Sequence, residues 1–164
     1  KVHRETAAGA GRRILSEKPM KILFDTSVLV AALTELHPMN RIALPWLEKA
    51  AKGKIDAYMC SHSLAEVYSA LTRLPISPRI SPAEAGLIVN NIPEKKLARI
   101  IELKTADYWS AIQRVAELGL SGGVIYDALL VAAARRMKAD RILTFNRKHF
   151  QRLAPLSNGF IVSP

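Results

Sequence analysis

The chain has 164 residues, 49% of them hydrophobic, which excludes a disordered chain and fits one globular domain. Its single cysteine, Cys60, excludes an internal disulfide and any cysteine-cluster metal site. The formal charge of +10 favours a polyanionic partner: nucleic acid, an anionic membrane surface or an acidic protein. Residues 1–19 hold five of the basic residues and two acids, so they contribute +3 and leave +7 on residues 20–164. The body is therefore basic in its own right, although a merely solvated basic surface gives the same charge.

Residues 1–19 show no strand pattern and end at Pro19. They read as an N-terminal extension or cloning remnant, with a short helix through Arg12–Glu17 as one reading. Met20 looks like a natural start of the folded domain, 20–164. No charged-then-apolar leader opens the chain, and no apolar run is long enough to span a bilayer, which predicts a cytoplasmic protein.

From Met20 onward, short β-branched runs alternate with helical patterns. Lys21–Phe24 predicts the first strand. Helices over Ser27–Glu35 and Arg41–Lys52 follow. Ile55–Met59 predicts a second strand, and His62–Leu74 a helix with Leu64, Val67 or Tyr68, Leu71 and Leu74 at core spacing. Leu74–Pro82 is a proline-rich loop. Ser81 followed by Pro82 signals the start of a helix over Pro82–Asn91. Arg99–Leu103 is a third strand, and Thr105 caps a helix that Gly119 ends. A helix over Tyr126–Lys138, a strand over Arg141–Thr144 and a short strand over Phe160–Val162 complete the pattern. Strands separated by helices predict an α/β fold, a parallel sheet of four to five strands covered on both faces. In such sheets function gathers at the carboxyl ends of the strands.

Asp25 directly follows the apolar run Ile22-Leu23-Phe24, at the carboxyl end of the first strand. Its simplest role is a helix cap, stabilising by about 1 kcal/mol. Thr26 or Ser27 could cap instead and free it. Asp127 opens a helix, Ala128–Ala134, that is apolar on every side and so is expected to be buried. A carboxylate there needs a helix N-terminus, a hydrogen-bond partner or a cation. Glu66 shares a helix face with His62, Ala70 and Arg73, and alone reads as a solvated acid. Asn146 follows the fourth strand, where a turn residue is common. In combination, Asp25, Asp127, Glu66 and Asn146 are expected to converge on one sheet edge. Neighbouring carboxylates repel, and protons or cations make the cluster tolerable. Hard oxygen donors suit Mg²⁺ or Mn²⁺. In a basic protein, such an ion suits phosphodiester hydrolysis.

Four segments carry a family resemblance. Ile22-Leu23-Phe24-Asp25-Thr26-Ser27-Val28-Leu29 resembles the opening motif of the PIN-domain family. Glu66 in Ser63-Leu64-Ala65-Glu66-Val67 resembles its second acid. Tyr126-Asp127-Ala128-Leu129-Leu130-Val131-Ala132-Ala133 is similar to the helix bearing the third acid. Leu143-Thr144-Phe145-Asn146-Arg147-Lys148-His149-Phe150 resembles the closing motif. Each is weak alone; the ordered set, over residues 20–150, is specific. The resemblance implies a metal-dependent endoribonuclease, in which Asp25, Glu66 and Asp127 ligate Mg²⁺ or Mn²⁺ and Asn146 completes the site. Asn brings oxygen without charge where many members have a fourth acid, which favours one tightly held ion. Ser27 and Thr144 are candidate hydroxyls for a metal-bound water or the phosphate, and Arg73, Arg79, Arg147 and Lys148 are candidate RNA contacts. A chain of this length is similar to VapC toxins, which implies a homodimer and a cognate antitoxin whose tail blocks the acids. The amphipathic helices Arg41–Lys52 and Pro82–Asn91 are candidates for that groove or dimer face.

Competing readings differ at named residues. A haloacid-dehalogenase-type phosphatase needs a second Asp where Ser27 stands. A receiver-like phospho-acceptor needs an acidic pair upstream of Asp25. A non-catalytic PIN-like RNA-binding module would have lost acids, and three remain. Aromatic residues are 6% of the chain, which offers no base-stacking platform of the RNA-recognition type. His62 and His149 read as ordinary surface or core histidines.

Overall fold

The computed structural model describes residues 18–153 and 159–164. The N-terminal segment read above as an extension lies outside them through residue 17.

The chain begins with β1 (Met20–Phe24), α1 (Thr26–Leu33), α2 (Asn40–Ala51), β2 (Ile55–Cys60) and α3 (Ser61–Arg73). It continues through α4 (Pro82–Glu94), β3 (Arg99–Ile101), α5 (Thr105–Glu117) and α6 (Val124–Met137). It closes with β4 (Arg141–Leu143), α7 (Arg147–Leu153) and β5 (Ile161–Val162). The strands form one parallel sheet in the order β3-β2-β1-β4-β5. This is the α/β architecture the alternating pattern predicts.

β1 is apolar at consecutive positions because both its faces are covered. Ile22 and Phe24 pack with α1, α2, α3 and α4, while Leu23 packs with α6 and α7 on the other face. A third cluster joins α5, α6 and Leu153. α6 is wedged between the last two, which explains why Ala128 through Val131, Ala133 and Ala134 are all buried.

From β1 the chain adds β2 and β3 on one side and β4 and β5 on the other. The reversal of order falls between β1 and β4, and it opens a crevice at the carboxyl ends of those two strands. Their register pairs Phe24 with Leu143, and the Asp25 N–H donates to the Leu143 carbonyl at 3.0 Å. Asp25 and Thr144 therefore leave the sheet side by side.

Several local expectations are corrected. The helix expected to be capped by Thr105 starts on that residue instead, with its cap at Lys104, whose N–H donates to the Asp107 carboxylate at 2.7 Å. α7 is a helix the periodicity did not reveal. α2 buries Ala43, Leu47 and Ala50 in the main cluster and leaves Ile42 and Leu44 exposed, and Asn40 donates to the Ala31 and Ala32 carbonyls at the end of α1. α4 likewise buries Ala85 and Ile92 and leaves Leu87 outside. Ser81 and Glu84 form the reciprocal capping box of α4. No helix among the described residues is long and apolar enough to cross a membrane.

Candidate active site

Asp25 occupies the cap position of α1, yet its carboxylate makes no cap bond to the helix backbone. Its Oδ2 instead accepts from Ser27 Oγ at 2.6 Å and from Thr144 Oγ1 at 2.7 Å. Both hydroxyls are themselves held by the closing segment. Ser27 Oγ accepts from Phe145 N–H at 3.3 Å, and Thr144 Oγ1 accepts from Asn146 N–H at 2.9 Å. Asp25 is thus buried, doubly tethered through one oxygen, and left with Oδ1 outside that network.

Glu66 lies in the second turn of α3, and its Oε2 accepts from Thr26 Oγ1 at 3.1 Å. This bond joins the first residue of α1 to α3. Burial raises the Glu66 acid above its ordinary value; Thr26 and His62 oppose the shift and the charge of Asp25 adds to it. Asp127 stands in the first turn of α6 and is 17% exposed. Its acid is raised to about 6, first by burial and next by the charge of Asp25, with Glu66 adding a smaller push. His149 on α7 opposes that rise, its Nδ1 standing 3.5 Å from Asp127 Oδ2.

The charge of Asp25 thus raises both Glu66 and Asp127, and Glu66 adds to the rise of Asp127, so the three acids lie near one another. Among the described residues, however, no three His, Cys, Asp or Glu side chains stand close enough to ligate one ion directly together. The arrangement is looser than a carboxylate cage. It fits a hydrated hard cation, since Mg²⁺ takes one or two carboxylates and keeps several waters. The donor chemistry agrees: all-oxygen, net negative, and destabilised by its own repulsion where Asp127 is concerned.

Asn146 lies just before α7. Its backbone N–H enters the Asp25 network, while its side chain is exposed. Ser27 and Thr144 are placed on Asp25 itself. Arg73 lines a cleft with Thr26, His62, Glu66 and Tyr126, whereas Arg147 and Lys148 are exposed in the first turn of α7. Arg79 is exposed in the loop before α4. Sequence reasoning passed over Thr26 as a partner of Glu66, His149 as a neighbour of Asp127, and the stacking of His62 on Tyr126. Only the adjacency of Thr26 to Asp25 was a signal, and it pointed to capping.

The PIN domain family matches residues 22–156 of this chain. The chain belongs to the PIN-domain family. Its resemblance is to the VapC branch: it is 30% identical over 116 residues to Ribonuclease VapC27 of Mycobacterium tuberculosis, covering 71% of this chain and 78% of that protein. Ribonuclease VapC40 of the same species is 31% identical over 120 residues, covering 73% and 82%. The crystal structure of Mycobacterium tuberculosis VapC20, described as a Sarcin-Ricin loop cleaving toxin, superposes with a TM-score of 0.63. That match spans 78% of this chain and 92% of VapC20 at 17% identity, a likeness of fold.

Proposed function

We propose that the chain is a divalent-cation-dependent endoribonuclease and the toxin of a type II toxin–antitoxin pair, acting on cytoplasmic RNA. The observation that carries this reading is the charge of Asp25 acting on both Glu66 and Asp127 at the carboxyl end of β1, beside the switch point of a basic α/β domain. Kinship with proteins named ribonucleases supports the substrate class. The homodimer and the antitoxin are parts of the same reading, drawn from the VapC resemblance. The domain is taken as residues 20–164.

Asp25, Glu66 and Asp127 would hold Mg²⁺ or Mn²⁺, which when bound activates water and offsets charge on the scissile phosphate. The chain's own residues supply the rest. Ser27 and Thr144 fix the Asp25 carboxylate, so that its second oxygen keeps one direction. Thr26 does the same for Glu66. His149 offers an imidazole beside Asp127 and keeps that acid nearer its charged form. Arg73 on one side, and Arg147 and Lys148 on the other, bind backbone phosphates and set RNA across the acids. Asn146 holds the start of α7 beside the site, its carbonyl accepting from His149 N–H at 3.0 Å.

The test is cleavage of single-stranded RNA in Mg²⁺ or Mn²⁺. EDTA should abolish it, and Asp25→Asn or Asp127→Asn should lower it by at least roughly 100-fold. Cleavage that persists in EDTA, or in both variants, contradicts the proposal. RNA that is retained on a gel without cutting would indicate a binding module instead.

A further inference from the structure

The cleft on the α3 side of the acids holds an aromatic pair that the proposed cleavage chemistry leaves unused. His62, in the first turn of α3, and Tyr126, in the first turn of α6, stack with ring centroids 4.8 Å apart and planes 17° from parallel. Both line a cleft of about 440 Å³ whose wall also contains Thr26, Glu66 and Arg73. Clefts of that size accept molecules of nucleotide dimensions. Tyr126 is nevertheless 44% exposed. The pair is not buried for packing, and its two rings come from different helices, each within about one turn of a proposed catalytic acid.

Three features of this wall point to one occupant. Stacked rings offer a π surface, on which any nucleobase gains affinity without sequence-specific hydrogen bonds. Arg73, whose Nε donates to the Ser69 carbonyl, adds a planar cation with terminal N–H groups suited to a phosphate. Thr26, which follows Asp25 in the chain and donates to Glu66, sets this wall beside the proposed catalytic acids. An apolar peptide side chain would satisfy the rings but leave the Arg73 charge unmatched. We propose that the His62–Tyr126 pair is the stacking subsite for the nucleobase adjoining the scissile phosphate. It selects unpaired RNA, because a base held in a duplex cannot turn onto the rings. The inference rests on the ribonuclease reading above and adds a determinant of substrate choice.

The test compares the intact chain with Tyr126→Ala, Tyr126→Phe and His62→Ala. The probe is a short single-stranded RNA, unmodified or with one abasic ribose placed at successive positions. In Mg²⁺ the unaltered chain should cut the intact RNA with a kcat/KM on the order of tenfold above that for RNA abasic at one position beside the cut. Tyr126→Ala and His62→Ala should erase this discrimination, with the loss mainly in KM, and Tyr126→Phe should keep it. A 2-aminopurine at that position should be quenched on binding, without added cation, by the unaltered chain and not by Tyr126→Ala. Thermal unfolding of Tyr126→Ala should stay close to that of the unaltered chain, because Tyr126 stands outside the buried core clusters.

If RNA is cut but Tyr126→Ala keeps both discrimination and quenching, the stacking subsite is wrong and the ribonuclease reading stands. The subsite is equally wrong if Tyr126→Ala weakens only the binding of a protein partner. If the unaltered chain cuts no RNA, the ribonuclease reading fails and the subsite falls with it.

Discussion

At the scale of single residues, the site depends on how one buried carboxylate is held. Asp25 accepts two hydroxyl hydrogens on one oxygen, and hydrogen bonds to a charged group contribute about 1.5–3 kcal/mol each. Thr144→Val removes one donor without changing the side-chain shape. It should lower Mn²⁺ affinity and RNA cleavage by roughly 10- to 100-fold, while Thr144→Ser restores most of both. Metal-binding calorimetry and a cleavage assay check this. Asp127 sets a pH dependence. Its acid lies at about 6 in the folded chain against an ordinary 3.8, so the folded state binds that proton more tightly than the unfolded state does. The group's contribution to stability is full below 3.8 and is lost as pH rises through about 6. Without divalent cations, unfolding titrations should show the chain gaining stability from pH 7 to pH 5 relative to Asp127→Asn. Added Mg²⁺ or Mn²⁺ should raise the melting temperature more at pH 7 than at pH 5. Asp25 and Asp127 stood out in the sequence because one sits at a strand end and the other in the first turn of an apolar helix, whereas Glu66, read alone as a solvated acid, entered through the family resemblance. The tethers were not legible. Thr144 reaches Asp25 across 119 residues, and only the β1–β4 register puts them side by side.

At the scale of elements, legibility follows the length of the apolar signal. β1 and α6 carry continuous apolar runs that burial on several sides requires, and both fall close to the expected bounds. α7 is seven residues long, with Phe150 and Leu153 as its buried positions, so one i, i+3 pair is all the periodicity it can show. Yet it brings His149 to Asp127. Phe150→Ala should cost about 3–5 kcal/mol in denaturant unfolding, by cavity formation under α7. The proline after Ser81 signalled α4 correctly, and the capping box explains why. Ser81→Ala should cost about 1 kcal/mol and leave RNA cleavage unchanged, since α4 supplies none of the proposed catalytic side chains. The stripes of α2 and α4 allow two readings, an outer groove or dimer face and internal packing. Amphipathic spacing tells that a face is covered, and it does not tell by what; here much of the cover is the chain's own core.

At the scale of the whole molecule, the sheet order does the assembling. Asp25, Glu66 and Asp127 are far apart along the chain; the β1–β4 pairing sets Asp25 beside Thr144, and the fold brings Glu66 and Asp127 within reach of the Asp25 charge. The chain carries a net charge of +10 although this spot is acidic, so long-range attraction for RNA and local demand for a cation coexist. RNA affinity should therefore fall more than roughly tenfold between 50 and 200 mM salt, as measured by filter binding. The measurement that bears most directly on the shared-ion site is Mn²⁺ binding at neutral pH to the unaltered chain and to Asp25→Asn, Glu66→Gln and Asp127→Asn. Saturable binding that each of the three substitutions weakens at least roughly tenfold is the expected result. Binding that any one of them leaves untouched would mean that the three acids do not share an ion.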